Sequence, residues 1–204
     1  MRYLSIDLEA TGLNENDFMI EFGMVPFCTE TKKVEESLAR NFFIRCPSFE
    51  SLKPQLAPWV IEHNEKLIQK AHQFGMQMDS FKDELETYLI SKEVKAYFKN
   101  ENKEKIILFG KSMSAIDLPF LTRDLGWEFM RKYFHHRNLD LSSTANTLID
   151  LKYLPAECSS GSHLMRHLGM GEVKHTALED AKNTALMYIK ILDLFTNQPS
   201  KIKS

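Results

Sequence analysis

Tyr3-Leu4-Ser5-Ile6-Asp7-Leu8-Glu9-Ala10-Thr11-Gly12-Leu13 is the stretch from which the fold of this chain can be read. Residues 3–8 have strand composition, and Thr11 to Asn16 has turn composition. Side chains alternate along a strand, so Asp7 and Glu9 share one face while Ile6 and Leu8 turn the other way into a core. At a rise of roughly 3.3 Å per residue, their Cα atoms stand about 7 Å apart. Carboxylates that close repel unless positive charge lies between them. A hard divalent cation such as Mg²⁺ or Mn²⁺ prefers oxygen ligands of this kind. For these two residues alone, the polar outer face of an edge strand is the plainer explanation.

Outward from this segment, Phe18–Cys28 and Leu38–Arg45 are further apolar runs, joined by a polar connection over 29–36. The connections are too short for helical crossovers, which predicts an antiparallel meander of three strands. A loop with Pro47, Pro54 and Pro58 follows. Helical spacing then covers Pro58–Phe74 and Ser80 to about Asn100, the second marked by Phe81, Leu85, Tyr88 and Leu89. Lys105–Gly110 has the character of a short buried parallel strand. Ser114–Leu125 is expected to be helical, with Pro119 tolerable only in the first turn. Leu139–Leu141 is a candidate last strand leading into a helix through Leu151. A short helix over His163–Leu168 ends at Gly169, and Ala177–Phe195 aligns Ala181, Ala185, Ile189 and Leu192. The expected fold is α/β: a mixed five-stranded sheet, three antiparallel strands followed by parallel ones, flanked by helices. Residues 1–196 form one domain in this scheme, and 197–204, with Pro199, are a frayed tail.

The composition narrows the partners. The chain has 204 residues, 26 basic and 28 acidic, for a net charge of -2. That length suits one soluble domain with a full core. With no basic excess, bulk charge does not draw it to a long polyanion. Cys28, Cys46 and Cys158 are too few and scattered for a disulfide framework or zinc knuckle, although pairing of Cys28 with Cys46 stays open. No apolar run approaches the roughly 20 residues of a membrane span, and Met1 to Leu8 is unlike a signal peptide. A cytoplasmic protein without membrane association is the expectation.

Two more acids complete a pattern. Asp117 follows the buried strand and opens a helix, a usual place for a ligand at the carboxyl end of a strand, and also for an acid stabilised by the helix dipole. Asp180 lies five residues after His175, in the first turns of the last long helix. Five helical residues turn about 140° past a full turn, so the pair converges only if His175 belongs to the loop entering the helix. Alone, His175 suits a cap or a surface histidine.

Taken together, these residues resemble the three motifs of the DEDDh 3′–5′ exonucleases. Asp7-Leu8-Glu9-Ala10-Thr11-Gly12-Leu13 with Ile20-Glu21-Phe22-Gly23 is similar to the first. Gly110-Lys111-Ser112 with Asp117, Phe120 and Leu121 is similar to the second, and His175-Thr176-Ala177-Leu178-Glu179-Asp180-Ala181 to the third. Within that superfamily, Tyr133 to Ser143 and the pair Trp59 and His63 resemble oligoribonuclease. The chain departs from it in having one more residue between Gly110 and Asp117 and one fewer between Trp59 and His63. It also has His136 in place of a tyrosine.

The resemblance implies a ribonuclease H-like fold and metal-dependent hydrolysis of phosphodiester bonds at 3′ ends of short single-stranded RNA or DNA. Asp7, Glu9, Asp117 and Asp180 would hold two divalent ions, Mg²⁺ or Mn²⁺, about 4 Å apart. His175, with an ordinary pKa near 6.5, would take the proton of the attacking water. Thr11, Leu13, Trp59, His63 and Ser112 would contact substrate, with Leu13 and Trp59 wedging or stacking terminal bases. As ordinary residues, Leu13 would anchor a turn, Trp59 would pack on the core and Ser112 would cap a helix. Arg137 and Ser142 would bind the 5′ phosphate of a short oligonucleotide across a homodimer interface. Polymerase proofreading, broader single-strand trimming and an inactive nucleic-acid-binding relative are the alternatives.

Overall fold

A computed structural model describes residues 1–99, 105–171 and 176–196. The sheet begins with β1 (Arg2–Ala10), β2 (Met19–Cys28), β3 (Lys33–Val34) and β4 (Arg40–Phe43). Four helices follow: α1 (Phe49–Leu52), α2 (Pro58–Phe74), α3 (Met78–Ile90) and α4 (Lys92–Tyr97). Then come β5 (Leu108–Gly110), α5 (Asp117–Leu125), α6 (Trp127–Tyr133) and β6 (Leu139–Asp140). The chain finishes with α7 (Leu141–Asp150), α8 (Gly161–His167) and α9 (Ala177–Thr196). The sheet has six strands in the order β3-β2-β1-β5-β6, with β4 also on β2. β1 and β2 are antiparallel, while β5 and β6 run parallel to β1.

The expected mixed α/β architecture is present, with one strand more than the sequence pattern showed. β3 is only two residues long and lies inside the polar connection, where Phe27 and Cys28 pair with Val34 and Lys33. Such a pair is too short to leave a periodic signal. The helix expected over Ser80–Asn100 is broken after Ile90, where the Ser91 hydroxyl accepts the Val94 amide and starts α4. The helix expected from Ser114 begins only at Asp117, which leaves Pro119 third in α5, where it removes no helical hydrogen bond. Cys28, Cys46 and Cys158 are all free and buried, so Cys28 and Cys46 are not paired. Among the described residues, no helix is long and apolar enough to cross a membrane.

Alternation along β1 divides the interior. Leu4, Ile6 and Leu8 face Phe22, Phe81, Leu85, Phe120 and Leu125, with Phe22 and Phe81 edge to face at 5.6 Å. Tyr3 faces the opposite layer, where Phe27, Phe109 and the α9 residues Ala185 and Ile189 pack. Ser5 is fully buried on that side, and its hydroxyl donates to the Ala181 carbonyl at 2.6 Å. The face of β1 that carries Tyr3 and Ser5 also carries Asp7 and Glu9. Helix α9 therefore packs on the acid-bearing face.

How closely α9 packs is set by a glycine. Gly23 pairs with Asp7 across the β1–β2 ladder. A Cβ at Gly23 would lie 2.2 Å from the Ala177 carbonyl carbon and the Leu178 nitrogen. Those are backbone atoms, so no rotamer change relieves the clash. Gly23→Ala is expected to cost about 2 kcal/mol or more of unfolding free energy, as overpacking does. Urea denaturation would show a lower midpoint at nearly unchanged slope.

Candidate active site

Asp7 and Glu9 project from the last turns of pleat in β1 toward the beginning of α9, where Asp180 lies in the first turn. One carboxylate oxygen from each of Asp7, Glu9 and Asp180 lies within 4.8 Å of the other two. Three contacts hold the helix start in place. Gly23 gives it room, the Ser5 hydroxyl bonds the Ala181 carbonyl, and the Glu21 carboxylate accepts the Ala177 amide at 3.4 Å. Glu21 is itself buried and accepts a second bond from the Asn41 side chain at 2.6 Å. An anion at a helix N-terminus meets the unpaired amides and the positive end of the helix dipole.

Asp117, the first residue of α5, is buried beside this group. Burial pushes its carboxyl up to about 7; backbone amides of Asp117 and Leu8 oppose the shift, and the charges of Asp140 and Glu9 add to it. The Asp7 carboxyl is raised well above the ordinary value, first by burial and then by Asp117, Asp180 and Glu9, with Lys111 pulling the other way. Four acids thus share one field, and their mutual repulsion disfavours full ionisation. Crowded hard oxygen donors of this kind match the preferences of Mg²⁺ or Mn²⁺. The donor set fits divalent metal.

The expected substrate residues fall into separate groups. Leu13 and Trp59, both mostly exposed, line a cavity of about 650 Å³ together with Glu9, Thr11, Leu56 and Ile116. His63 stacks on Trp59 with ring centroids 4.5 Å apart and bonds the Trp59 carbonyl through Nδ1 at 2.8 Å. The Thr11 hydroxyl is buried in its own loop, accepting the Phe18 amide at 2.9 Å and donating to Asp17 at 3.3 Å. Ser112 and Ser142 meet each other, their hydroxyls 2.8 Å apart, at the carboxyl ends of β5 and β6. Arg137 is not brought near the acids. It precedes β6, whose Leu139 is level with Phe109 and hence with Ser5, so it lies toward the opposite end of the strands. His175 lies outside the described residues.

Sequence reasoning left four contributors out of the site. Glu21 pairs directly across the ladder from Glu9, so strand parity already places it on the acid-bearing face. Gly23 stands two residues further on, and Lys111 follows the strand beside β1. Asp140 holds the second motif in shape, with one carboxylate oxygen accepting the Met113 amide at 2.8 Å and the other the Ser143 amide at 3.1 Å. It lets the chain turn at Ser112, whose φ of 58° is left-handed without being glycine. No local sequence signal marked that long-range cap.

The fold is similar to that of solved nuclease domains, one of them from a DEDDh family member. The nuclease domain of 3′hExo, a DEDDh family member bound to rAMP, superposes with a TM-score of 0.66 at 16% identity over 100% of this chain and 97% of that one. The RNase domain of the yeast Pop2 protein gives 0.68 at 14% identity over 96% and 78%. S. pombe Pop2p in its Mg²⁺- and Mn²⁺-bound form gives 0.65 at 16% identity over 96% and 84%. No family model and no curated protein matches the sequence. At these identities the likeness is one of fold.

The raised carboxyls give the metal-free protein a pH signature. Asp117 binds its proton more tightly folded than unfolded, so its stabilising contribution is complete below the ordinary value of 3.8 and is lost as pH rises through about 7. In EDTA, thermal unfolding should therefore occur at higher temperature at pH 5 than at pH 8. Mn²⁺ should raise the pH 8 value most, since it binds the ionised carboxylates, and Asp117→Asn should flatten the metal-free slope. Calorimetric melts at the two pH values check all three outcomes.

Proposed function

We propose that this protein is a metal-dependent 3′–5′ exonuclease that trims short single-stranded RNA or DNA and releases nucleoside 5′-monophosphates. The observation that carries this is the convergence of Asp7, Glu9 and Asp180 within 4.8 Å, beside buried Asp117. The likeness of the fold to nuclease domains, one bound to rAMP and another to Mg²⁺ and Mn²⁺, supports it. Asp7, Glu9, Asp117 and Asp180 would hold two divalent ions, which supply positive charge for the reacting phosphate and acidity for a water.

The remaining parts belong to the chain itself. His175, in the segment leading into α9, takes the proton of the attacking water, as the third motif implies. The cavity beside Glu9 receives the terminal nucleosides, with Leu13 wedged against a base and the indole of Trp59 stacked on one. His63 backs the indole and fixes its orientation through the Trp59 carbonyl. The hydroxyls of Ser112 and Ser142 border the path of the strand, while Thr11 shapes the loop beside the cavity. A substrate held by metal and stacking needs no basic surface, which fits a chain with a net charge of -2.

An oligoribonuclease-like preference for very short RNA is the finer form of this proposal. It gives Arg137 a 5′ phosphate to bind. Because Arg137 stands at the far end of the strands from its own acids, that contact requires a second copy of the chain, and the homodimer is part of the proposal.

End-labelled RNA and DNA oligomers of two to thirty nucleotides, incubated with Mn²⁺, test the function. The wild type should shorten them from the 3′ end to mononucleotides, and Asp7→Ala should lose on the order of 10³-fold in rate. Equal patterns from both proteins would refute the enzyme. Dimers degraded far faster than longer strands, together with a dimeric mass by light scattering, would support the oligoribonuclease-like form, and equal rates would retire it. Trp59→Ala should raise KM about ten-fold, the size of one lost stacking contact.

A further inference from the structure

Lys111 has no part in the scheme above, yet the sheet brings it to the acids. β5 runs parallel to β1, with Leu108 opposite Leu4 and Phe109 opposite Ser5. Lys111 is the first residue after β5, and the same register carried two residues on would set it level with Asp7. The strands are still in contact there, since a Cβ on Gly110 would lie 3.0 Å from the Ile6 carbonyl oxygen. Alternation carried past the end of β5 would turn Lys111 toward the face shared by Ser5, Phe109 and Asp7. The chain's course confirms that direction. A Cβ on Gly161, the first residue of α8, would lie 2.5 Å from Lys111 Nζ and 2.8 Å from its Cε. Helix α8 packs on that same face through Leu164, as does Leu168 just beyond its end. The ammonium is thus held over the start of α8, one strand away from Asp7.

The charge is felt at the cluster. Among the groups acting on Asp7, three carboxylates raise its pKa and Lys111 is the cation that lowers it. Lys111 is exposed, so an incoming anion can reach its ammonium. A lysine is a compact point charge on a flexible stem, suited to a phosphate oxygen that shifts during reaction.

We propose that Lys111 is a substrate-binding residue, whose ammonium takes a non-bridging oxygen of the phosphate held at the Asp7, Glu9 and Asp180 cluster. This rests on the nuclease function proposed above. It divides the labour in a way the acids cannot. The carboxylates attract cations and repel the substrate, whereas Lys111 repels cations and attracts the substrate. Removing it should therefore weaken phosphate binding without weakening metal binding.

Lys111→Met keeps the stem that covers Gly161 and deletes the charge. Calorimetric titration of the metal-free protein with Mn²⁺ should show affinity equal to wild type or several-fold tighter. Titration of the Mn²⁺-loaded protein with AMP should show binding about ten-fold weaker or more, the loss expected for a charge-assisted hydrogen bond. KM for a short oligonucleotide should rise by a similar factor with kcat changed little, and Lys111→Arg should recover most of the loss. Unchanged AMP affinity and KM in an otherwise active protein would overturn the role of Lys111 alone. Weakening of Mn²⁺ and AMP together, with a lowered melting temperature, would overturn it too, by showing that the residue only holds α8 in place. A wild type that neither binds AMP with Mn²⁺ nor degrades any oligomer would overturn the nuclease function and this proposal together.

Discussion

The close approach of α9 to β2 at Gly23 is the contact on which the site depends. A helix normally stands off a sheet by the length of its interlocking side chains. Here its first turn comes within backbone contact, because the strand residue opposite Asp7 has no side chain. Glu21 and Ser5 then pin the helix start through the Ala177 amide and the Ala181 carbonyl. Without that descent, Asp180 would stand too far above the sheet for its carboxylate to meet those of Asp7 and Glu9. The packing problem and the electrostatic problem are solved at the same residue pair.

That proximity has an energetic cost. Burial and like charge raise the Asp7 and Asp117 carboxyls, so the acid group on its own is a destabilising feature embedded in a well-packed sheet. The two apolar layers, with Phe22, Phe81 and Leu85 on one side and Phe27 and Phe109 on the other, give β1 no freedom to relieve the repulsion by sliding. The scaffold is rigid where the chemistry is strained, as expected of a preorganised site.

Much of this was legible in the order of residues. Period-two alternation in β1 separates the acids from Ile6 and Leu8, and Pro58–Phe74 has the boundaries of the helix observed. Local pattern could not show the break at Ser91 or the two-residue strand β3, because single hydroxyl caps and two-residue pairings leave no period to detect. Nor could it show that Arg137 lies toward the other end of the strands from the acids, which follows only from the parallel direction of β6. Lys111 and Glu21 stood inside the motifs but were given no role, for a different reason. Each is ordinary in its own segment and acquires meaning only from the neighbouring strand, at Asp7 and Glu9.

The register that unites the cluster has a consequence for how the chain is made. β1 pairs first with β2, a neighbour in sequence, but α9 supplies its share of the cluster from near the other end of the described chain. Contacts that span so much chain form late, since a long loop must close before they reward it. On a ribosome, the emerging protein would already display its strands and most of its core while still unable to gather a metal ion. Whatever chemistry the three carboxylates perform together therefore waits for α9 to arrive.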